Sequence, residues 1–159
     1  MHSLPSLGPR GEGWVAIQFI LLGSIAVAGW WGGPDWTGAV VTVSTLAGLL
    51  GIAAGAVMAF LGVRHLGDAL TPLPHPRDQA ELVQTGIYRR VRHPIYGGLI
   101  VAALGWGLLT ASIPALLLTG VLAVFFRLKS AREETWLTDQ FPAYGAYRER
   151  TRRFIPWLG

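Results

Sequence analysis

HPIYGGLIVAALGWGLLTASIPALLLTGVLAVFF, residues 93–126, contains no Asp, Glu, Lys or Arg. An uncharged run of this length belongs in hydrocarbon. It is broken at Thr110-Ala111-Ser112, with Pro114 just after, where a missing N–H costs little in the first turn of a helix. The segment therefore reads as a hairpin of two apolar helices, Ile95–Leu109 and Pro114–Leu128. Each arm would be ~22 Å long against a hydrocarbon core of ~30 Å. The pair either stands with little tilt and thins the bilayer, or is re-entrant.

Composition points the same way. The 159 residues are 52% hydrophobic and 14% charged, with a mean hydropathy of +0.44, whereas soluble domains carry roughly 25% charge. The length suits a single domain. With no Cys, disulfides, thiolate zinc sites, iron–sulfur clusters and a cysteine nucleophile are excluded. The net charge of +4 has no stripe of basic residues interleaved with aromatics, so nucleic acid is not an expected partner.

The 13 basic residues map the topology: Arg10, five from Arg64 to Arg92, and seven from Arg127 to Arg153. Between Arg10 and Arg64 lie two apolar runs, Trp14–Trp31 and Ala39–Val63, separated by the turn sequence GGPDWTG. Both are long enough to span, and Trp14, Trp30, Trp31 and Trp36 suit interfacial aromatic belts. A competing reading makes the first run a secretory signal, since Ala26-Val27-Ala28 matches a cleavage pattern. Four spans put every basic cluster on one side, which the positive-inside rule makes cytoplasmic, together with both termini. The expected fold is an all-α, multi-pass integral membrane protein with four transmembrane helices, the last two a short hairpin, plus a C-terminal amphipathic helix. Along one membrane domain this gives two spans in 1–63, a cytoplasmic loop in 64–94, the hairpin in 95–128 and a cytoplasmic tail helix in 129–159. Gly48, Gly51, Gly55, Ala59 and Gly62 form a small-residue face in the second span, suited to close packing on another span of the same chain in preference to a dimer face.

In the loop, Pro72, Pro74 and Pro76 impose an extended path, followed by ELVQTGIYRRVRHPIYGG. His93 falls at an N-cap position, and the helix start at Pro94 offers unsatisfied N–H groups and a positive dipole end to a ligand. In the tail, Lys129 and Glu133 are four apart on one helical face, which by itself reads as a snorkelling interfacial pair at the end of a span. FPAYGAYRER brings Tyr144 and Tyr147 near the membrane surface, and RRFIPWL, with Phe154, Ile155, Trp157 and Leu158, reads as an interfacial return. Arg89, Arg90 and Arg92 suit anionic lipid headgroups. His2, His65 and His75 have no ligand spacing, so no metal is expected.

LVQTGIYRRVRHPIYGG, a short apolar hairpin, K-x-x-x-E-E, F-P-x-Y-x-x-Y and a closing R-x-I-P-like tail together resemble the isoprenylcysteine carboxyl methyltransferase family, a neighbour of the phospholipid methyltransferases. The resemblance covers Leu82 to Leu158. It implies a membrane enzyme using S-adenosylmethionine, with Glu81, Leu82, Val83, Tyr88, His93, Pro94, Ile95, Tyr96 and Glu133 at cofactor-contacting positions. Lys129 matches a position where the family has an arginine facing substrate. Lys lacks the bidentate fork with which Arg grips a carboxylate, so the resemblance carries methyl transfer to a lipophilic molecule from the bilayer rather than a particular acceptor.

The residue chemistry is compatible with that implication. Transfer from a sulfonium needs alignment and stabilisation of charge more than covalent help. Glu133 suits ribose hydroxyls or an amino group, the N–H groups from Ile95 a carboxylate, and Tyr88 or Tyr96 an adenine or sulfonium. His93 suits cofactor orientation, base catalysis or a helix cap; the catalytic residues expected are His93 and, through the resemblance, Lys129. Two alternatives stay open: a non-catalytic module whose basic loops bind anionic lipids or a partner, and an NADPH-dependent enzyme akin to membrane sterol reductases, which share an R-H-x-x-Y-x-G motif.

Overall fold

The computed structural model describes residues 5, 7–31, 36–75 and 81–156. Within them the chain forms α1 (Glu12–Trp30), α2 (Ala39–Leu66), α3 (Pro94–Leu109), α4 (Ile113–Gln140) and α5 (Tyr144–Arg150). Short 3₁₀ turns at Gly67–Ala69 and Gly86–Arg89 punctuate the loop between α2 and α3. Among the described residues three helices are long and apolar enough to cross a membrane: α1, α2 and α4. The 16-residue α3 is the short one, at ~24 Å. Phe19, Ile20, Leu50, Val57, Phe60, Leu117 and Val124 face outward on these helices, as expected of surfaces that meet lipid rather than water.

The chain packs as two helix pairs, α2 along α3 and α1 against α4, joined where α3 meets α4. The small-residue face of α2 lies on α3, backbone to backbone. A Cβ at Gly55 would sit 2.5 Å from both Ala102 N and Gly98 O, and one at Gly105 would sit 2.6 Å from Ile52 N. Such contacts let dispersion and Cα–H···O interactions hold the pair where lipid supplies no hydrophobic drive. Around Leu122, Phe125 and Phe126 of α4, the core adds Trp14, Ile25, Ala103 and Ala115.

Local chemistry sets the hairpin. Ser112 caps α4 through its Oγ, which accepts from Ala115 N at 3.2 Å and donates to Ala28 O at 2.8 Å. The turn is thus capped and tied to the end of α1, and Pro114 sits in the first turn of α4. The expected lower end of that arm, Leu128, is passed without interruption. The helix runs through Lys129, Glu133 and Glu134 to Gln140, because KSAREETWL is built of good helix formers.

The structure corrects or refines three expectations. Trp14 is buried against Phe125, with ring centroids 5.5 Å apart, instead of forming an interfacial belt; Trp30 and Trp31 are the exposed ones. Tyr144 and Tyr147 on the seven-residue α5 are buried inside the molecule. Phe154 turns inward to pack against the core. Pro76, Asp35, His2, Trp157 and Leu158 lie outside the described residues.

Gly55→Ala is expected to lower the thermal midpoint of the detergent-solubilised protein, an over-packing cost of about 1–3 kcal/mol. Gly120→Ala, where an added Cβ meets nothing within 4 Å, is expected to leave the midpoint unchanged or raise it. Equal midpoints for the two variants would refute the close α2–α3 contact.

Candidate functional site

At the end of the bundle where α3 begins, the chain encloses a cavity of about 300 Å³, at the lower end of the roughly 300–1,000 Å³ typical of small-molecule sites. One wall is apolar, from Val63, Leu66, Leu70 and Leu73; the other carries Arg92, His93, Glu133 and tyrosines. The loop supplies its wall through a sharp bend. Gly86 has φ of 57°, and a Cβ there would lie 2.5 Å from the His65 ring, so glycine alone fits. The following 3₁₀ turn then aims Tyr88 inward, its hydroxyl donating to Gly62 O at 3.3 Å.

Of the residues singled out from the sequence, the structure brings Glu81, Leu82, Val83, Tyr88, His93, Ile95, Tyr96 and Glu133 to this one cavity. Pro94 is buried at the first position of α3, behind the wall. Lys129 is also behind it, fully buried, with Nζ donating to Gln18 Oε1 at 2.6 Å and to Pro72 O at 3.3 Å. Its ammonium lies 5.1 Å from the centre of the Tyr96 ring, a cation–π contact that supports the cavity wall from outside.

His93 occupies the N-cap position but its side chain does not cap the helix. Instead Nε2 lies 3.1 Å from Glu134 Oε1 and Nδ1 lies 3.7 Å from Glu133 Oε2. The ring stacks on Tyr96 at 5.5 Å, and Tyr96 stacks on Phe126 at 4.6 Å. The Tyr96 hydroxyl donates to Glu133 Oε2 at 2.9 Å. An imidazole fixed by stacking and a carboxylate keeps one orientation toward the cavity.

Sequence reasoning missed the residue that organises this end. Glu134, 5% exposed, accepts from Arg92 Nε at 2.9 Å and from Arg153 Nη2 at 2.9 Å, besides the His93 contact. Arg92, expected at lipid headgroups with Arg89 and Arg90, is instead buried, with Nη1 donating to Arg148 O at 3.0 Å and to Thr151 O. Backbone bonds from Arg92 N to Arg152 O and from His93 N to Arg153 O, at 2.8 and 2.9 Å, lay the loop beside the C-terminal segment as a parallel bridge. Charge arithmetic places Arg92 and Glu134 in separate clusters, and nothing local in the sequence pairs residues 42 apart.

The tyrosines outside the spans stay protonated. Burial, then Glu133, holds the Tyr88 phenol well above the usual range; burial pushes Tyr147 up to about 12. Tyr144 is raised by burial and by the carboxylates of Glu134 and Glu133. These hydroxyls are therefore neutral donors throughout the physiological range.

Glu134→Ala is expected to cost about 3–5 kcal/mol, because it leaves the buried Arg92 guanidinium without its carboxylate. Glu133→Ala, at a side chain 24% exposed, should cost clearly less. Thermal unfolding in detergent measures both, and equal losses would contradict the division between the neighbours.

A family model for phospholipid methyltransferases matches residues 43–144, more than half of the chain. A nickel-cobalt-cadmium resistance protein of Alcaligenes xylosoxydans xylosoxydans is 36% identical over 83 residues, 52% of this chain and 39% of that protein. The protein-S-isoprenylcysteine O-methyltransferase of Schizosaccharomyces pombe is 39% identical over 79 residues, 48% of this chain and 34% of that protein. Methanethiol S-methyltransferase 1 of Bradyrhizobium diazoefficiens is 37% identical over 93 residues, 58% and 30% of the two chains. The chain thus spans between 30% and 39% of the length of these relatives. Among the described residues no group of three or more His, Cys, Asp or Glu is arranged to hold a metal ion. The match spans α3, α4 and the loop that builds the cavity wall, and by it the chain belongs to the phospholipid methyltransferase family.

Proposed function

We propose that the chain is an integral membrane methyltransferase that takes a methyl group from S-adenosylmethionine and passes it to a lipophilic small molecule, isoprenoid or lipid reaching the site from the bilayer. The observation that carries this reading is the convergence on one cavity of Glu81, Leu82, Val83, Tyr88, His93, Ile95, Tyr96 and Glu133, the positions at which the sequence resemblance implies donor contacts. Membership of a methyltransferase family supports it.

The residues present fit such a donor. Glu133 opens part of its carboxylate to the cavity, which suits ribose hydroxyls or an amino group. The N–H groups at the start of α3, beginning with Ile95, suit a carboxylate. The Tyr88 and Tyr96 rings offer faces for an adenine or a sulfonium. When bound, the donor supplies an electrophilic methyl group that is transferred by in-line displacement. His93, held between two carboxylates, orients the bound molecules or takes a proton from the acceptor. Lys129, which the resemblance sets opposite substrate, acts here by fixing the Tyr96 face; direct contact with substrate would require release of Gln18.

In this reading α3 and α4 complete four spans, with both termini and the loop and tail on the cytoplasmic side. The segments 1–63, 64–94, 95–128 and 129–159 act as one membrane domain: two supporting spans, a donor loop, the hairpin and a tail whose α5 closes the cavity. Arg89 and Arg90, both exposed, meet anionic headgroups.

Calorimetric titration of the detergent-solubilised protein with S-adenosylhomocysteine tests the proposal. Wild type is expected to bind, and Glu133→Ala to bind at least about tenfold more weakly. Absence of binding by wild type would overturn the enzyme reading. Retention of NADPH instead would select a reductase. Anionic-liposome binding that survives replacement of His93, Tyr96 and Glu133 together, with no S-adenosylhomocysteine affinity, would select a lipid-binding module.

A further inference from the structure

All four tyrosines of the chain, Tyr88, Tyr96, Tyr144 and Tyr147, line the same cavity. Three have their hydroxyls committed to the protein: Tyr88 to Gly62 O at 3.3 Å, Tyr96 to Glu133 Oε2 at 2.9 Å and Tyr147 to Tyr88 O at 2.8 Å. The fourth differs. Tyr144 is 1% exposed, and among the described residues its buried hydroxyl has no hydrogen-bond partner.

A buried hydroxyl without a partner is costly to keep, and Phe would fill the same space without that cost. A free phenol on a cavity wall is explained where the partner arrives with a ligand. The chemistry of the surroundings narrows what that partner is. Arg92 is saturated by Glu134, Arg148 O and Thr151, so it leaves no free cation to draw a carboxylate here, while Glu133 and Glu134 repel one. Burial first, and then both glutamates acting through space, raise the Tyr144 phenol and keep it protonated, hence a donor. An ammonium group has no lone pair to accept from it. A hydroxyl satisfies both sides, accepting from the phenol while donating to a carboxylate.

We infer that the Tyr144 hydroxyl binds ligand directly, donating to a hydroxyl of a ribose-type diol whose own proton is accepted by Glu133. The inference rests on the proposed nucleoside-bearing donor and adds a contact that neither the motif nor the sequence reading assigns. It makes Tyr144 a binding residue, placed by α5, and gives that short helix a role in closing the site over the sugar.

The test compares wild type and Tyr144→Phe by calorimetry with S-adenosylhomocysteine and its 2′-deoxy and 3′-deoxy analogues. The substitution is expected to weaken S-adenosylhomocysteine binding by roughly three- to thirtyfold. For the analogue lacking the contacted hydroxyl, wild type and variant should bind alike. The thermal midpoint of ligand-free Tyr144→Phe should equal or exceed that of wild type, since no internal hydrogen bond is lost. Unchanged affinity, an equal loss with both deoxy analogues, or a lowered ligand-free midpoint would each overturn the assignment while leaving the donor reading intact. Wild type that binds none of these compounds would overturn the donor reading and this inference with it.

Discussion

One buried carboxylate holds the working end of the molecule together. Glu134 projects from the lower part of α4 and gathers Arg92 and His93 from the loop and Arg153 from the C-terminal segment. Placing a carboxylate where it is 5% exposed costs several kcal/mol in desolvation, recovered only if its partners arrive with good geometry. That requirement turns a flexible loop and a tail into parts of one structure. The start of α3 follows directly, because His93 is both a ligand of Glu134 and the residue that precedes Pro94.

The neighbouring Glu133 is turned by about 100° around the helix, and the change of direction changes its chemistry. Glu134 is locked among cations; Glu133 takes the Tyr96 hydroxyl and keeps part of its surface open to the cavity. The same separation recurs among the tyrosines, where three hydroxyls brace the wall and one is left over. Deeper in the bundle, Lys129 and Gln18 join α4 to α1 by a buried hydrogen bond, setting the Tyr96 ring against the cation from behind. The site is therefore built from a rigid polar shell around a small number of uncommitted groups, an arrangement that preorganises contacts before a ligand arrives.

Much of the fold was legible because the membrane makes hydropathy decisive. The two long runs, the break at Thr110 to Ser112 and the small-residue face of α2 all reflect constraints that act along the sequence. The cavity residues were legible through a motif in which RHPIYGG and the EE pair recur together; the motif singled out His93, Tyr96 and Glu133. What escaped is non-local. Arg92 reads as a third member of a basic loop until Glu134 is seen beside it, and Trp14 reads as a belt residue until Phe125 is seen against it. Tyr144 and Tyr147 follow a proline near a span end, the usual setting of interfacial aromatics; their inward course depends on α5 folding back over the loop, which no periodicity in seven residues reveals.

In the proposed function, the uncharged hairpin, the glutamate node and the half-polar cavity together form one donor site at a membrane face. Ultraviolet cross-linking of methyl-labelled S-adenosylmethionine to the detergent-solubilised protein, followed by peptide mapping, tests that claim most directly. The account predicts labelled peptides within residues 81–96 and 129–147, suppressed by excess S-adenosylhomocysteine. Label confined to α1 or to residues 39–60 of α2, or label that S-adenosylhomocysteine does not displace, would contradict it.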